Sequence, residues 1–204
     1  MLQNEALTVL LIKRSDQDRW AIPGGIIGVG ESLQSAAVRI LEEETGMADV
    51  YVEQLYTFGE PDRDQRKRVV SVVYYALIPA QQIELKAGSG TDGAAWFNVD
   101  ELPRLAFDHN EILDYALTRI RNKLEYTDVG FQLLPEEFTL TELQTAYEIV
   151  LGEHLDKRNF RRKILQANIL HETGGMRTGE GRPAKLYRYR DGAFVEVKAR
   201  RLFP

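Results

Sequence analysis

Residues 23–47 read PGGIIGVGESLQSAAVRILEEETGM, and this stretch decides how the first half of the chain folds. Gly24-Gly25 predicts a tight turn, residues 26–30 a loop, and Ser32 an N-cap that opens a helix. Leu33, Ala36, Ala37, Ile40 and Leu41 recur at helical spacing, and Gly46 is placed to end the helix as a C-cap. Glu31 precedes the helix, while Glu42, Glu43 and Glu44 crowd its last turn, where the macrodipole favours cations. A hard divalent cation on oxygen ligands would offset that opposition and hold a diphosphate as well. A solvated acidic face is the competing reading of the charge alone.

Spacing separates the two. Gly25, Glu31, Arg39, Leu41, Glu43, Glu44, Gly46 and Met47 together resemble the Nudix box. The resemblance implies a Nudix fold, in which a loop–helix–loop binds Mg2+ and a nucleoside diphosphate linked to another moiety. One position departs from the pattern: a glutamate is expected after the arginine, and this chain has Arg39-Ile40. In Nudix hydrolases that carboxylate is a metal ligand or general base, and Ile40 can be neither. The expectation is a retained pocket with no catalytic residue assigned and no cofactor required. Glu43 and Glu44 are the metal ligands if Mg2+ is bound.

The composition narrows the class further. A chain of 204 residues, 44% hydrophobic, can bury one large core or two small ones. No apolar run approaches the roughly 18 residues of a membrane span, and no basic-then-apolar leader is evident. The absence of cysteine excludes disulfides and thiolate metal sites and fits a cytoplasmic protein. Charge is divided unevenly. Residues 156–204 carry 13 Lys+Arg against 5 Asp+Glu, leaving 13 against 26 in residues 1–155. A basic tail behind an acidic body points either to a polyanionic partner for the tail or to a solvated basic surface docking on the acidic part, and charge alone does not separate the two.

Along the chain, residues 6–14, 20–22, 50–58, 69–79 and 93–98 have the β-branched and aromatic character of strands. Almost nothing precedes Gln3, where Nudix domains carry a further strand. Either the start lies upstream or the sheet begins differently. The polar loop 59–68 holds Arg63, Arg66, Lys67 and Arg68, cations suited to bidentate phosphate contacts. Asp108 is placed to cap a helix running to about residue 126, with Ile112, Leu113, Ala116, Ile120 and Leu124 on one side. His109, at its start, reads as a surface or capping histidine more readily than as a ligand contact. Residues 127–138 read as a short linker.

The tail has its own order. Thr139 and Glu142 form a capping-box pattern, Asp156 caps a second, basic helix, and two short strands follow around a glycine-rich loop. Helix, turn, basic helix and hairpin is the order of a winged helix-turn-helix. Phe160, Ile164 and Leu165 are expected to face inward. Lys157, Arg158, Asn159, Arg161, Arg162 and Lys163 then face a DNA groove, where Arg reads guanine and Asn reads adenine. Arg177, Arg182 and Lys185 belong to the wing and contact phosphate, with residues 181–183 extended so that Arg182 enters a minor groove.

Taken together, residues 6–190 resemble the Nudix-related transcriptional regulators of bacteria. The carrying stretches are LYTFGEPDRDQRKRVVSVVYYALIP, FDHNEILDYALTRIRNKLEY, FTLTELQTAYEIVLGEHLDKRNFRRKILQANILHETG and GRPAKLYRYR. The resemblance implies an α+β Nudix-like sensor over residues 1–106, a connecting helix over 107–130 and a winged helix-turn-helix over 131–204. It implies a homodimeric repressor of NAD biosynthesis or salvage genes, released from a double-stranded DNA operator by ADP-ribose. Gly24, Gly25, Arg39, Glu43 and Glu44 then shape the diphosphate end of the pocket, and Arg63, Arg66 and Arg68 reach the ligand. An active ADP-ribose pyrophosphatase and a sugar-responsive catabolic regulator are the alternatives.

Overall fold

The computed structural model describes residues 1–190 except 4, 16–17, 80–84, 89–90 and 179–181. The chain forms two compact units. One comprises Ala6–Leu77 with Gln81–Leu117, the other Thr118–Pro204 with Met1–Glu5 and Ile78–Ala80.

A two-residue strand, β1 (Leu2–Gln3), precedes the spine of the first unit, β2 (Ala6–Arg14). Leu7, Leu10, Leu11 and Ile12 of β2 are buried. β2 pairs antiparallel with β3 (Trp20–Ala21) through Ile12 and Ala21, and with β6 (Thr91–Asn98) from Thr8–Asn98 to Arg14–Thr91. Between β3 and β6 come α1 (Leu33–Thr45), β4 (Glu53–Phe58) and β5 (Ser71–Tyr75). Leu11 packs with Leu105 and Leu113, and Ile12 with Ala21 and Ala106. Strands β4 and β5 are shorter than the apolar runs from which they were expected. Their antiparallel pairing ends at Glu53–Tyr75 and Phe58–Ser71, and composition beyond those pairs does not make a strand.

Both caps of α1 form as the sequence predicts. Ser32 accepts the Ser35 N–H, and Gly46 adopts φ 75 while donating to the Glu42 carbonyl. The first turn departs from the expected apolar face: Ala36 is buried, whereas Leu33 is exposed.

The next helix, α2 (His109–Leu124), contains the boundary between the units. In its first half Ile112 and Leu113 are buried, and in its second half Ile120 and Leu124. A 3-10 helix (Val129–Leu133), α3 (Leu140–Leu151), α4 (Lys157–Gln166), β7 (Leu170–Arg177) and β8 (Ala184–Tyr189) complete the second unit. Residues 127–138 are no free linker. Val129, Leu133, Leu134 and Phe138 are buried, and a Cβ on Gly130 would lie 2.7 Å from both Leu124 and Tyr147. Glycine is needed there for close packing.

The capping box opens α3: Thr139 accepts the Glu142 N–H and Glu142 accepts the Thr139 N–H. Asp156 caps α4 by accepting the Asn159 N–H at 2.7 Å. Phe160 and Ile164 anchor α4, with Phe160 edge-on to the buried Tyr147 at 5.5 Å. Leu165 is 49% exposed, against expectation, because one further residue turns it off the face shared by 160 and 164. Strands β7 and β8 pair from Leu170–Tyr189 to Arg177–Ala184 with an irregularity after Glu172, where Gly174 takes φ 80. Phe138 exchanges backbone hydrogen bonds with Tyr187, which ties the hairpin to the segment ahead of α3.

Candidate functional site

In the first unit the glycine turn and the box helix approach closely at one point. A Cβ on Gly25 would lie 3.1 Å from Ile40 Cγ1 and 3.2 Å from its Cδ1. Ile40 thus puts aliphatic carbon against the turn, where a glutamate would have placed a carboxylate. Gly24 is less constrained, with the Ile22 carbonyl at 3.7 Å as ordinary contact.

Arg39 is the hub of the box. Its guanidinium donates to Glu31 at 2.6 and 3.0 Å, to Glu43 at 2.9 Å and to the Ile26 carbonyl at 3.2 Å. Glu31 also accepts the Gly28 N–H, which folds residues 28–31 back on themselves. Arg39 and then this N–H hold the Glu31 carboxyl down at about 2, so it is charged at any ordinary pH. Glu44 stands apart from this network, and its backbone carbonyl accepts from Gly88 at 3.3 Å. Gly88 gave no signal as a site residue in the sequence. A Cβ there would lie 2.3 Å from the Glu43 carbonyl, so only glycine lets that segment cross the end of α1.

Glu43 and Glu44 are the ligands named above for Mg2+ if it is bound. Arg39 already occupies Glu31 and Glu43, and Ile40 offers no oxygen. Among the described residues no three His, Cys, Asp or Glu side chains gather as a metal site.

The arginines of the loop 59–68 divide into two kinds. Arg63 is 5% exposed and donates twice to Asp108 at 2.8 Å, with a further bond to Ser71. It is internal, and a ligand would have to displace Asp108 to reach it. The same pairing takes the Asp108 carboxylate that was expected to cap α2. Arg66 and Arg68 lie at the surface. Arg66 pairs with Asp64 and stacks its guanidinium 5.2 Å from the Phe107 ring, and Arg68 donates to the Gly59 and Glu60 carbonyls.

His109 is neither a surface group nor a cap. It is half-buried, and its Nδ1 accepts the Ile22 N–H at 2.9 Å. Burial first, then the Arg63 and Arg14 charges, lower its pKa to about 4 against the opposing pull of Asp108. The ring is therefore neutral, with its proton on Nε2. Phe107, just before, holds φ 53, a strained conformation for a bulky residue.

In the second unit, α4 presents Lys157, Arg158 and Arg162 to solvent, with Asn159 and Lys163 half-buried beside them. Arg162 donates to Asn159 at 2.7 Å, so those two side chains are positioned together. Arg161 differs: it donates to Thr141 of α3 at 2.9 Å and braces the two helices. On the hairpin, Arg177 pairs with Glu142 at 3.0 Å and Lys185 with Glu172 at 2.8 Å, while Arg182 is exposed. The expected minor-groove segment 181–183 begins at residue 181, outside the described residues. A helix lined with cations and anchored by Phe160 and Ile164, next to a basic hairpin, fits a polyanionic duplex.

Comparison with known proteins agrees with both halves. Residues 1–116 match the NUDIX domain, and residues 130–189 match the NrtR DNA-binding winged helix domain. The chain is 37% identical over 190 residues to the ADPR responsive transcriptional repressor NtrR of Acinetobacter baylyi, covering 90% of this chain and 76% of that protein. The crystal structure of Shewanella oneidensis NrtR complexed with a 27mer DNA matches with a TM-score of 0.82 at 36% identity, covering 98% of this chain and 93% of that one. The NUDIX domain of the same Shewanella protein, crystallised with ADP ribose, matches with a TM-score of 0.50 at 35% identity, over 58% of this chain and 80% of that one. Among the described residues no helix is long and apolar enough to cross a membrane. With a Nudix unit, a winged helix of the NrtR type and full-length likeness to such proteins, the chain belongs to the NrtR family.

Proposed function

We propose that the chain is a cytoplasmic, homodimeric repressor that binds an operator through α4 and the hairpin and is released when ADP-ribose, its effector, occupies the Nudix unit. The genes controlled are those of NAD biosynthesis or salvage. The observation that carries the reading is the state of the box: Arg39 occupies Glu31 and Glu43, and Ile40 closes against Gly25. Such a pocket keeps its glycine turn and its cations, while Ile40 can be neither a metal ligand nor a general base. Binding without hydrolysis is what an effector needs, because a sensor that destroyed its ligand would erase the signal.

In this reading Gly24 and Gly25 bring backbone to the diphosphate, Arg66 and Arg68 supply exposed positive charge, and Arg39 fixes the loop over the helix. Arg158, Asn159 and Arg162 read bases, and Lys157, Lys163, Arg177, Arg182 and Lys185 contact phosphates. ADP-ribose lowers operator affinity only if it binds better to the state that fits the operator less well.

A gel shift with a fragment spanning the protein's own promoter tests this. A specific shift relieved by ADP-ribose is expected; a specific shift indifferent to ADP-ribose would contradict the effector. A parallel assay for AMP release from ADP-ribose with Mg2+ present is expected to show no turnover above background. Steady turnover by the unaltered chain would return it to the pyrophosphatases.

A further inference from the structure

Two contacts described above share an origin that neither reveals alone. The Ile22 N–H, one residue ahead of the Pro23-Gly24-Gly25 turn, donates to His109 from a partner 87 residues away in sequence. Arg63, inside the basic loop, is held bidentately by Asp108 from 45 residues away. Asp108 and His109 are neighbours at the opening of α2, so both loops are pinned within one helical turn. The backbone adds a third tie, since Ala106 donates to the Trp20 carbonyl at 2.8 Å. Phe107 turns the chain between these ties at φ 53, and its ring lies 5.5 Å from that of His109 with Arg66 of the basic loop over it.

We propose that Asp108 and His109 are positioning residues for the ligand site: His109 sets the glycine turn and Asp108 sets the basic loop, so the two halves of the pocket share one anchor. The inference rests on the ADP-ribose reading above. Neither side chain needs to touch the ligand. A turn that presents backbone to a diphosphate is useful only if its geometry is fixed beforehand, because ordering it on binding subtracts from affinity. His109 fixes it through an N–H that would otherwise be left without a partner in a half-buried position, and Arg63 is held by the most directional ion pair available.

The full-length chain carries the test. His109→Phe keeps the ring's bulk and removes the acceptor; His109→Asn restores an acceptor oxygen close to the position of Nδ1. Hydrogen exchange of the Ile22, Gly24 and Gly25 amides in the ligand-free protein is expected to quicken at least tenfold in His109→Phe and to return most of the way in His109→Asn. Calorimetric titration with ADP-ribose is expected to show the same order, with affinity about tenfold weaker in His109→Phe and operator binding without ligand within twofold of the unaltered chain. For the other anchor, replacing the pair together, Arg63→Met with Asp108→Leu, avoids a stranded buried charge and is expected to weaken ADP-ribose by a similar factor. Unchanged exchange and unchanged affinity in His109→Phe would overturn the assignment. Equal losses in His109→Phe and His109→Asn would also overturn it, since restoring the acceptor would then recover nothing. Failure of the unaltered chain to bind ADP-ribose would instead overturn the effector reading, while the exchange experiment would still decide the anchor.

Discussion

Ile40 and His109 show how differently single residues disclose themselves. Ile40 is legible from its neighbours alone, because a fixed local pattern makes an aliphatic side chain conspicuous at that position. Its contact with Gly25 gives that substitution a place in the structure. His109 offered no local clue. Its partner Ile22 and the partner of Asp108 are far away in sequence, and no periodicity predicts such pairings. Arg63 shows the same limit: as one arginine among several it suggests a phosphate, and only the fold brings Asp108 to it. The lowered pKa of His109, about 4, has a consequence for stability. Between about 4 and the ordinary histidine value of about 6.5, the unfolded chain takes up a proton that the folded chain refuses. The stabilisation is present above about 6.5 and is lost as pH falls towards 4, by at most roughly 2 kcal/mol between pH 7 and pH 5. Urea midpoints at those two pH values are expected to drop for the unaltered chain and to drop less for His109→Asn. An equal drop in both would show that His109 is not the titrating group.

Elements bounded by local chemistry were readable, and those bounded by packing were not. The caps Ser32, Gly46, Thr139 and Asp156 all form where the sequence places them, since a cap depends on a few adjacent residues. The ends of β4 and β5 depend on which residues find a partner, so apolar composition overran them. Residues 127–138 failed for a related reason: Gly130 and Pro135 signal a turn, yet Gly130 is glycine because Leu124 and Tyr147 fill the space beside it. Gly130→Ala is therefore expected to destabilise the second unit by about 1–3 kcal/mol, read as a lower melting temperature. Thr139→Ala, which opens the capping box, is expected to cost about 1 kcal/mol. A Gly130→Ala protein as stable as the unaltered chain would mean that the packing around Tyr147 is looser than the geometry implies. On α4, Arg158 is exposed, so Arg158→Ala is expected to leave melting unchanged and to weaken specific operator binding roughly 10- to 100-fold, the worth of one good base contact. Retained specificity would assign base reading to a different side chain.

At the scale of the whole molecule, the division of charge was the earliest sign of two jobs on one chain. The acidic first part carries the box and the basic last part carries α4 and the hairpin. The architecture was legible because each part has its own local signature, and the NUDIX and NrtR winged helix matches fall on the corresponding residues. What no local signature could supply is the exchange of information between ligand and operator. That exchange is a free energy, and it has the same size whichever ligand is added first. The measurement that tests the account most directly is the affinity for ADP-ribose of the full-length chain, free and saturated with operator DNA. The prediction is that operator weakens ADP-ribose by the same factor as ADP-ribose weakens operator, within the range of about 5- to 150-fold usual for such coupling. Equal ADP-ribose affinities with and without operator would contradict it, because a ligand that does not distinguish the two states cannot release the repressor.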